Sequence, residues 1–301
     1  MSHDSRHAPV LFGEVLFDEF TGPDGEVQSV LGGAPFNVAW HLAGFGIEPL
    51  LISRVGDDAL GERVRNAMAE HGLPLDGLQL DPLHPTGRVA VTLEAGEPSY
   101  DIVADVAFDH IDPDGLEAAV AGREPAALYH GTLAARSDTS RRALRALRHR
   151  LSAPIFIDVN LRAPWWEATV VKELLQGSHW VKLNGDEQVI LGEQFRSPGV
   201  GAFRERLGAE ALILTHGEGG AEWVDDSAPI RVHPRPVRDF RDAVGAGDAL
   251  AAVFMLGRIR GWTARESLER GVEFAAAICG RQGALVEDPA FYDAFNEKWK
   301  S

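Results

Sequence analysis

Short apolar runs that end in polar residues recur along the chain, and each predicts a buried strand. The clearest runs cover residues 154–160, 180–184 and 211–215, with similar runs at 49–56 and 127–130. Amphipathic segments with helical spacing separate them. Apolar strands alternating with helices predict a parallel sheet that is covered by helices on both faces. We therefore expect an α/β architecture.

Polar side chains stand where these predicted strands end. Asp158, Asn160, Asn184 and Thr215 all fall at such positions. In open α/β sheets, ligands bind outside the carboxyl ends of the strands. The hydrophobic pattern by itself therefore predicts a binding site at this edge of the sheet.

Other segments alternate polar and apolar residues, which is typical of half-exposed strands. Residues 26–31 show this alternation, and residues 88–94 and 100–103 flank a turn at 95–98 in a hairpin pattern. No repeat, low-complexity tract or linker divides the sequence. We expect one domain over residues 1–301.

A glycine-rich turn opens the apolar segment after residue 244. Gly245, Ala246 and Gly247 precede Asp248, and a run of small and apolar residues with helical propensity follows. Peptide N–H groups at the positive end of a helix bind anions. Asp248 would lie beside such an anion, within reach of an attacking hydroxyl. The alternative is that Asp248 simply caps the helix.

A second glycine pair lies far upstream and also precedes a predicted helix. Gly32 and Gly33 come before apolar positions spaced by three or four residues, and Asn37 lies one turn beyond Gly33. The Asn37 amide either faces a ligand near the helix start or is solvated on the outer face. Asp18 lies in a run that begins as a strand at residue 10, and its simplest interpretation is a strand-end residue that faces solvent.

The two glycine segments, at 32–37 and 241–248, resemble in order and content the paired signatures of the ribokinase-like (PfkB) carbohydrate kinases, most closely bacterial fructokinases. The resemblance covers nearly the whole chain. It implies a three-layer α/β/α fold with a mostly parallel central sheet and a small lid of strands from about 14–31 and 86–105. The implied activity is transfer of the γ-phosphoryl group of Mg-ATP to a sugar hydroxyl, most simply that of D-fructose.

The resemblance also implies roles for single residues. Asp248 is implied as the catalytic base, beside an anion hole formed by Gly245, Ala246 and Gly247. The implied sugar-binding residues are Asp18, Gly32, Gly33, Asn37, Arg88, Asp158, Asn160 and Arg162. The implied nucleotide-binding residues are Lys182, Asn184, Glu187, Thr215, Gly217, Gly220, Ala277 and Gly283. Glu187 is implied to reach Mg²⁺ through water, and many relatives hold K⁺ near the residues that match Asp242, Val244 and Gly283.

Two departures from the fructokinase pattern bear on the sugar. Phe36 and Arg88 stand where smaller residues are usual, and either one would reshape a sugar pocket. The alternatives are therefore a kinase for another sugar or sugar acid, such as ribose or 2-keto-3-deoxygluconate, and a catalytically silent sugar- or nucleotide-binding regulator. An intact Asp248 argues against the regulator.

Composition limits the binding partners and the cellular compartment that we expect. The 301 residues carry a formal charge of −16, which argues against nucleic acid and anionic membranes as partners. No apolar run approaches the roughly 20 residues that span a bilayer. The single cysteine excludes an internal disulfide, and the N-terminal residues lack a hydrophobic segment, so we expect a cytoplasmic protein. Exposed edges of lid strands make a homodimer plausible. The sequence has no P-loop, so any ATP must bind by another route.

Overall fold

The computed structural model describes residues 5–21, 25–94, 97–237 and 239–300. Within these residues the strands are β1 (Val10–Phe12), β2 (Leu16–Thr21), β3 (Val27–Gly32), β4 (Leu50–Gly56), β5 (Leu78–Asp81), β6 (Gly87–Glu94), β7 (Glu97–Ile102), β8 (Leu128–His130), β9 (Ile155–Asp158), β10 (Trp180–Asn184), β11 (Ala211–Thr215), β12 (Ala221–Val224) and β13 (Ile230–Val232). The helices are α1 (Ala34–Gly44), α2 (Ala59–Glu70), α3 (Leu116–Val120), α4 (Asp138–Arg150), α5 (Ala168–Leu175), α6 (Gly185–Gln194), α7 (Val200–Leu207), α8 (Ala246–Arg260), α9 (Ala264–Cys279) and α10 (Pro289–Lys298).

The larger sheet has the order β13-β12-β11-β10-β9-β8-β1-β4-β5 among the described residues. All neighbours from β5 to β11 pair in parallel, and only β12 and β13 are antiparallel. This arrangement confirms the predicted α/β architecture.

Helices cover both faces of this sheet, as the apolar runs predict. Val10 and Phe12 pack into a core with side chains of α4 to α7, whereas Leu11 between them packs into a core with side chains of α1, α8 and α9. Successive side chains of a strand point to opposite faces, so a strand buried on both sides is apolar throughout. Residues 249–257 of α8 are all buried, which makes this helix central to the second core.

The smaller sheet has the order β3-β2-β6-β7, with β2 and β6 parallel to each other. β6 and β7 form the predicted hairpin, although its turn at 95–96 and residues 22–24 of the β2–β3 connection lie outside the described residues. Gly13 separates β1 from β2 at a φ of +149°, and a Cβ there would lie 2.6 Å from Pro35 Cγ. The run that begins as a strand at residue 10 therefore contributes to both sheets. That the smaller sheet covers a bound sugar stays a prediction.

No helix among the described residues is long and apolar enough to span a membrane.

Candidate active site

The starts of α1 and α8 meet, although 211 positions separate the residues that join them. Asn37 Nδ2 donates to Asp248 Oδ2 at 2.7 Å. A Cβ on Gly32 would lie 3.7 Å from Asn37 Oδ1 and 3.9 Å from Asp18 Oδ2. The structure thus brings together four predicted site residues, of which Gly32, Asn37 and Asp248 come from the two glycine segments and Asp18 comes from β2.

Gly33 precedes α1 and allows a close approach of the backbone. Its φ is +112°, and a Cβ there would lie 2.6 Å from the carbonyl oxygen of Glu14. A larger residue would push the start of α1 away from the end of β1. Glycine at this position therefore allows the close packing that positions Asn37 on the first turns of α1.

The environment of Asp248 makes it a stronger base than an exposed aspartate. Burial and the negative charge of Asp158 raise its pKa to about 6. The hydrogen bond from Asn37 and the positive charge of Lys182 act in the opposite direction. Asp248 is therefore ionised near neutral pH and is able to accept a proton.

The turn before Asp248 is tightly packed and lies beside a lysine side chain. Gly245 adopts a φ of +77°, and a Cβ there would overlap the Cβ of Ala284. A Cβ on Gly247 would lie 3.1 Å from Lys182 Nζ, so the ammonium group lies directly beside the turn. The first N–H groups of α8 have no intrahelical acceptor. Ala246 N, however, donates to the carbonyl oxygen of Ala243 at 3.2 Å. Of the three predicted N–H groups, those of Gly245 and Gly247 are therefore the ones left for an anion beside the Lys182 cation.

A buried polar chain holds Lys182 in place. Lys182 Nζ donates to Asp158 Oδ1 and Oδ2 at 2.8 and 2.7 Å, and Tyr129 Oη donates to Asp158 Oδ2 at 3.2 Å. Burial lowers the pKa of Lys182, but the charge and hydrogen bonds of Asp158 outweigh it and raise the pKa overall. Both carboxylate oxygens of Asp158 are thus committed to Lys182.

Asn184 and Glu187 form a capping box at the start of α6. Glu187 N donates to Asn184 Oδ1 at 2.9 Å, and Asn184 N donates to Glu187 Oε2 at 2.8 Å. Leu161 N donates to Glu187 Oε1 at 2.7 Å, which ties residues 159–162 to α6. Each Glu187 oxygen keeps a further lone pair. The residue therefore fits a metal held through water.

The three residues predicted for a K⁺ site also come together. Val244 N donates to Asp242 Oδ1 at 2.8 Å, and Gly283 N donates to Asp242 Oδ2 at 3.0 Å. Gly283 has a φ of +77°. The carbonyl-bearing backbone of 242–244 and 283 is thus fixed next to the anion turn.

The remaining predicted nucleotide residues lie on β11, the turn after it and α9. Thr215 ends β11 and is the ladder partner of Asn184. Gly217 has a φ of +55° in the following turn, and a Cβ on Gly220 would overlap the carbonyl oxygen of Val232. Ala277 lies in the last turn of α9.

Arg88 is not brought to this cluster. The parallel register of β2 and β6 pairs Phe17 with Arg88 and Asp18 with Val89. Adjacent side chains alternate between faces, so Arg88 lies on the face opposite Asp18. Its guanidinium instead approaches Glu19, with Nη1 3.8 Å from Oε2.

Phe36 also departs from the expected position. Its side chain is fully buried and contacts Trp40 at 5.7 Å between ring centroids. It therefore packs in the core and does not border open space at the site.

Asn160 adopts a φ of +44°, and Arg162 beyond it is exposed.

Glu14 is a site residue that the sequence reasoning missed. Only 4% of it is exposed, and Oε2 has no hydrogen-bond partner among the described residues. Burial raises its pKa to about 7, with a contribution from the charge of Asp248, while the charge of Arg162 opposes the shift. The available signal was its position: Glu14 follows the apolar run of β1, just as Asp158 ends that of β9.

Comparison with known proteins agrees with this geometry. The model of the pfkB family carbohydrate kinases matches residues 12–290. The chain belongs to this family. It is therefore a phosphotransferase that has an alcohol group as acceptor, and the predicted resemblance is confirmed.

Individual relatives carry different substrate names. The Escherichia coli fructokinase is 27% identical over 308 residues, covering 96% of this chain and 98% of that protein. A 5-dehydro-2-deoxygluconokinase of Clostridium beijerinckii is 25% identical over 279 residues, covering 87% of this chain and 82% of that protein. The solved fructokinase of Xylella fastidiosa with bound ATP has a TM-score of 0.84 at 22% identity, covering 97% of this chain and 99% of that one. The fold is ribokinase-like, as predicted.

Proposed function

We propose that this sugar kinase is an ATP-dependent fructokinase in which Asp248 is the catalytic base. The observation that carries the proposal is the 2.7 Å hydrogen bond from Asn37 to Asp248. It joins a hydroxyl-binding cluster at the start of α1 to an anion-binding turn at the start of α8. A kinase needs these two functions side by side, because the acceptor hydroxyl must meet the transferring phosphoryl group.

On the sugar side, the cluster offers matched hydrogen-bonding groups. The Asp18 carboxylate accepts hydrogen bonds from two adjacent hydroxyls, and the Asn37 amide both donates and accepts. Asn37 Oδ1 is buried and has no partner among the described residues. Such a group is costly to leave unpaired, so a sugar hydroxyl that donates to it gains binding energy.

On the reacting side, Asp248 orients the acceptor hydroxyl and takes its proton. The hydrogen bond from Asn37 fixes the carboxylate through Oδ2 and thereby directs Oδ1. A pKa of about 6 leaves the carboxylate ionised at neutral pH. Phosphoryl transfer demands positioning and charge stabilisation more than a strong base, so this carboxylate is adequate.

The anion turn stabilises the charge on the transferring phosphoryl group. We assign this stabilisation to the N–H groups of Gly245 and Gly247 and to the ammonium of Lys182. Ala246 N donates to Ala243 O and would join them only by giving up that hydrogen bond. Asp158 and Tyr129 act behind Lys182 as positioning residues, because the Asp158 carboxylate accepts from Nζ and Tyr129 donates to that carboxylate. Thr215, Gly217, Gly220, Ala277 and Gly283 are proposed to line the nucleotide.

The ligand atoms that the chain offers indicate which metal ion each group of residues would hold. Mg²⁺ prefers few carboxylates and retains waters, which suits Glu187 beside Asn184. K⁺ suits the backbone oxygens around Asp242, Val244 and Gly283. When bound, these ions neutralise phosphate charge.

A sugar acid is the second candidate substrate. Burial raises the pKa values of Asp18 and Glu14, and the positive charge of Arg162 opposes both shifts, so the guanidinium lies within electrostatic reach of the sugar side. An arginine there makes forked contacts to a carboxylate. A sugar acid such as 2-keto-3-deoxygluconate would use that charge, whereas fructose has no need of it.

The test measures ADP release with Mg-ATP against fructose, ribose and 2-keto-3-deoxygluconate. We expect turnover on fructose, and Asp248→Asn should lower kcat by about 10²–10⁴-fold while fructose binding persists. Wild-type kcat/KM should fall as pH drops through about 6, because Asp248 becomes protonated in the free enzyme, and the variant should lack this fall.

The control is Asp293→Asn, which changes an exposed aspartate on α10. Unchanged kcat in Asp248→Asn would refute the role of this residue. Turnover on another sugar alone would keep the mechanism and replace the substrate. Absence of turnover on every sugar, with ATP still bound, would favour the regulator.

A further inference from the structure

His84, Asp105 and His110 form a compact cluster beside the ends of β6 and β7, and the proposed mechanism uses none of them. One ligand atom from each of the three lies within 4.8 Å of the others. His110 Nε2 is 2.8 Å and His84 Nε2 is 3.8 Å from Asp105 Oδ1. Two imidazole nitrogens and one carboxylate oxygen thus lie close together.

A buried carboxylate orients the first of these imidazoles. Asp81 has a fully buried side chain, and its Oδ2 lies 3.0 Å from His84 Nδ1 and 2.8 Å from Arg54 Nε. Asp81 Oδ1 accepts the N–H groups of Leu83 and His84 at 2.8 and 3.0 Å. A carboxylate held in this way accepts the Nδ1 proton of His84. The lone pair of His84 Nε2 is thereby directed toward Asp105.

We propose that His84, Asp105 and His110 bind a transition-metal ion such as Zn²⁺. Imidazole nitrogens select Zn²⁺, Co²⁺ or Ni²⁺ over Mg²⁺ or Ca²⁺, which prefer oxygen ligands. A carboxylate that accepts from the far nitrogen of a ligating histidine is the usual support of such a site. Asp81 supplies this support from the end of β5.

Binding requires a small local change. The rings of His84 and His110 are stacked, with centroids 3.6 Å apart, so their nitrogen lone pairs do not yet converge. The side chain of His110 is 29% exposed and that of Asp105 is 77% exposed, which leaves both free to turn. The metal replaces the proton that His110 Nε2 donates to Asp105, and this proton moves to Nδ1 or to solvent.

The site would join both ends of the β6–β7 hairpin. His84 lies between β5 and β6, whereas Asp105 and His110 follow β7. Asp105 holds a φ of +55°, an uncommon conformation for a residue with a side chain. Asp105 and His110 also line a cavity of about 300 Å³, which gives an ion a path to the site. A bound ion would therefore brace the hairpin against the larger sheet.

The test titrates the full chain with CoCl₂ in the absence of nucleotide and follows the visible absorption of nitrogen-ligated Co²⁺. We expect stoichiometric binding, at least about tenfold weaker in His84→Ala and in His110→Ala, and about 10–100-fold weaker in Asp81→Asn. ZnCl₂ should raise the midpoint of thermal unfolding of the wild type and not of His84→Ala.

The matched control is His149→Ala, which removes an exposed histidine of α4 and should leave binding unchanged. Circular dichroism verifies that each variant is folded, and His110→Ala alters the more exposed of the two histidines. No visible Co²⁺ band, equal binding by the wild type and both histidine variants, or equal losses in His149→Ala would overturn the site. The cluster would then be a hydrogen-bonded histidine pair.

Discussion

At the scale of single residues, burial sets the acid–base behaviour of the two acids around the proposed reaction. The pKa of Asp248 rises to about 6 and that of Glu14 to about 7. Neither shift follows from residue type, since exposed aspartate and glutamate titrate near pH 4. The folded chain thus holds two carboxyl groups whose ionisation opposes folding.

Glu14 offers a direct test of this cost. Its pKa is raised on folding, so its contribution to stability is fully present below pH 4.5 and is lost as pH rises to about 7. The corresponding loss in the free energy of unfolding is about 3 kcal/mol. We expect Glu14→Gln to remove this loss, which urea denaturation at pH 5 and pH 8 measures.

The matched control is Glu193→Gln, on the exposed side of α6. It should keep the pH dependence of the wild type. The contrary result is that Glu14→Gln and the wild type lose the same free energy of unfolding between pH 5 and pH 8. That result would show that the buried carboxyl of Glu14 does not cause the pH dependence of stability.

At the scale of elements, α8 has a glycine in the left-handed conformation at each end. The two glycines differ in the space that a side chain would have. Gly245 precedes the helix at a φ of +77°, and a Cβ there would overlap Ala284. Gly261 follows the helix at a φ of +72°, and a Cβ there would have no atom of the described residues outside its own turn within 4 Å. Backbone strain is therefore common to both positions, and steric overlap belongs to Gly245 alone.

Comparing Gly261→Ala with Gly245→Ala separates the cost of backbone strain from the cost of steric overlap. Gly261→Ala should cost about 1–2 kcal/mol of unfolding free energy through the left-handed conformation. Gly245→Ala should cost about 1–3 kcal/mol more through overpacking against Ala284, and it should also lower kcat because the anion turn moves. Chemical denaturation and ADP release measure the two effects. If both variants lose the same free energy of unfolding, Ala284 moves aside without measurable cost and steric overlap does not matter.

At the scale of the whole molecule, the smaller sheet projects from the larger one and leaves β3 at an edge. Val27 on β3 is 54% exposed. Phe20 on β2, which pairs with Gln28, is 41% exposed on the opposite face of the sheet. Exposed apolar edge strands pair with a second chain unless they are protected. This placement supports the proposed homodimer through the smaller sheet.

Sedimentation equilibrium tests the dimer. We expect the wild type to sediment as a dimer and Val27→Lys to shift it toward the monomer, because a charge at the edge opposes strand pairing. Val189→Lys is the control, since Val189 is equally exposed at 56% but lies on α6. A monomeric wild type, or equal dissociation by both variants, would contradict pairing through β3.

Elements with a local pattern could be predicted from the amino-acid sequence alone. Buried parallel strands read as short apolar runs, so β10 and β11 were predicted to the residue and the end of β9 was placed within two. The glycine turns and the acids at strand ends likewise indicated Asp248, Asn37 and Asp158. Helix propensity and strand alternation depend on neighbours in the chain, which a sequence displays directly.

Which of these groups meet, and which face each one occupies, depended on the folded chain. The Asn37–Asp248 bond spans 211 positions, and the commitment of Asp158 to Lys182 depends on how β9 and β10 pair. The register of β2 and β6 turned Arg88 away from Asp18, and packing buried Phe36. Contacts across a sheet, strand register and desolvation arise from the packed molecule, so no local pattern encodes them.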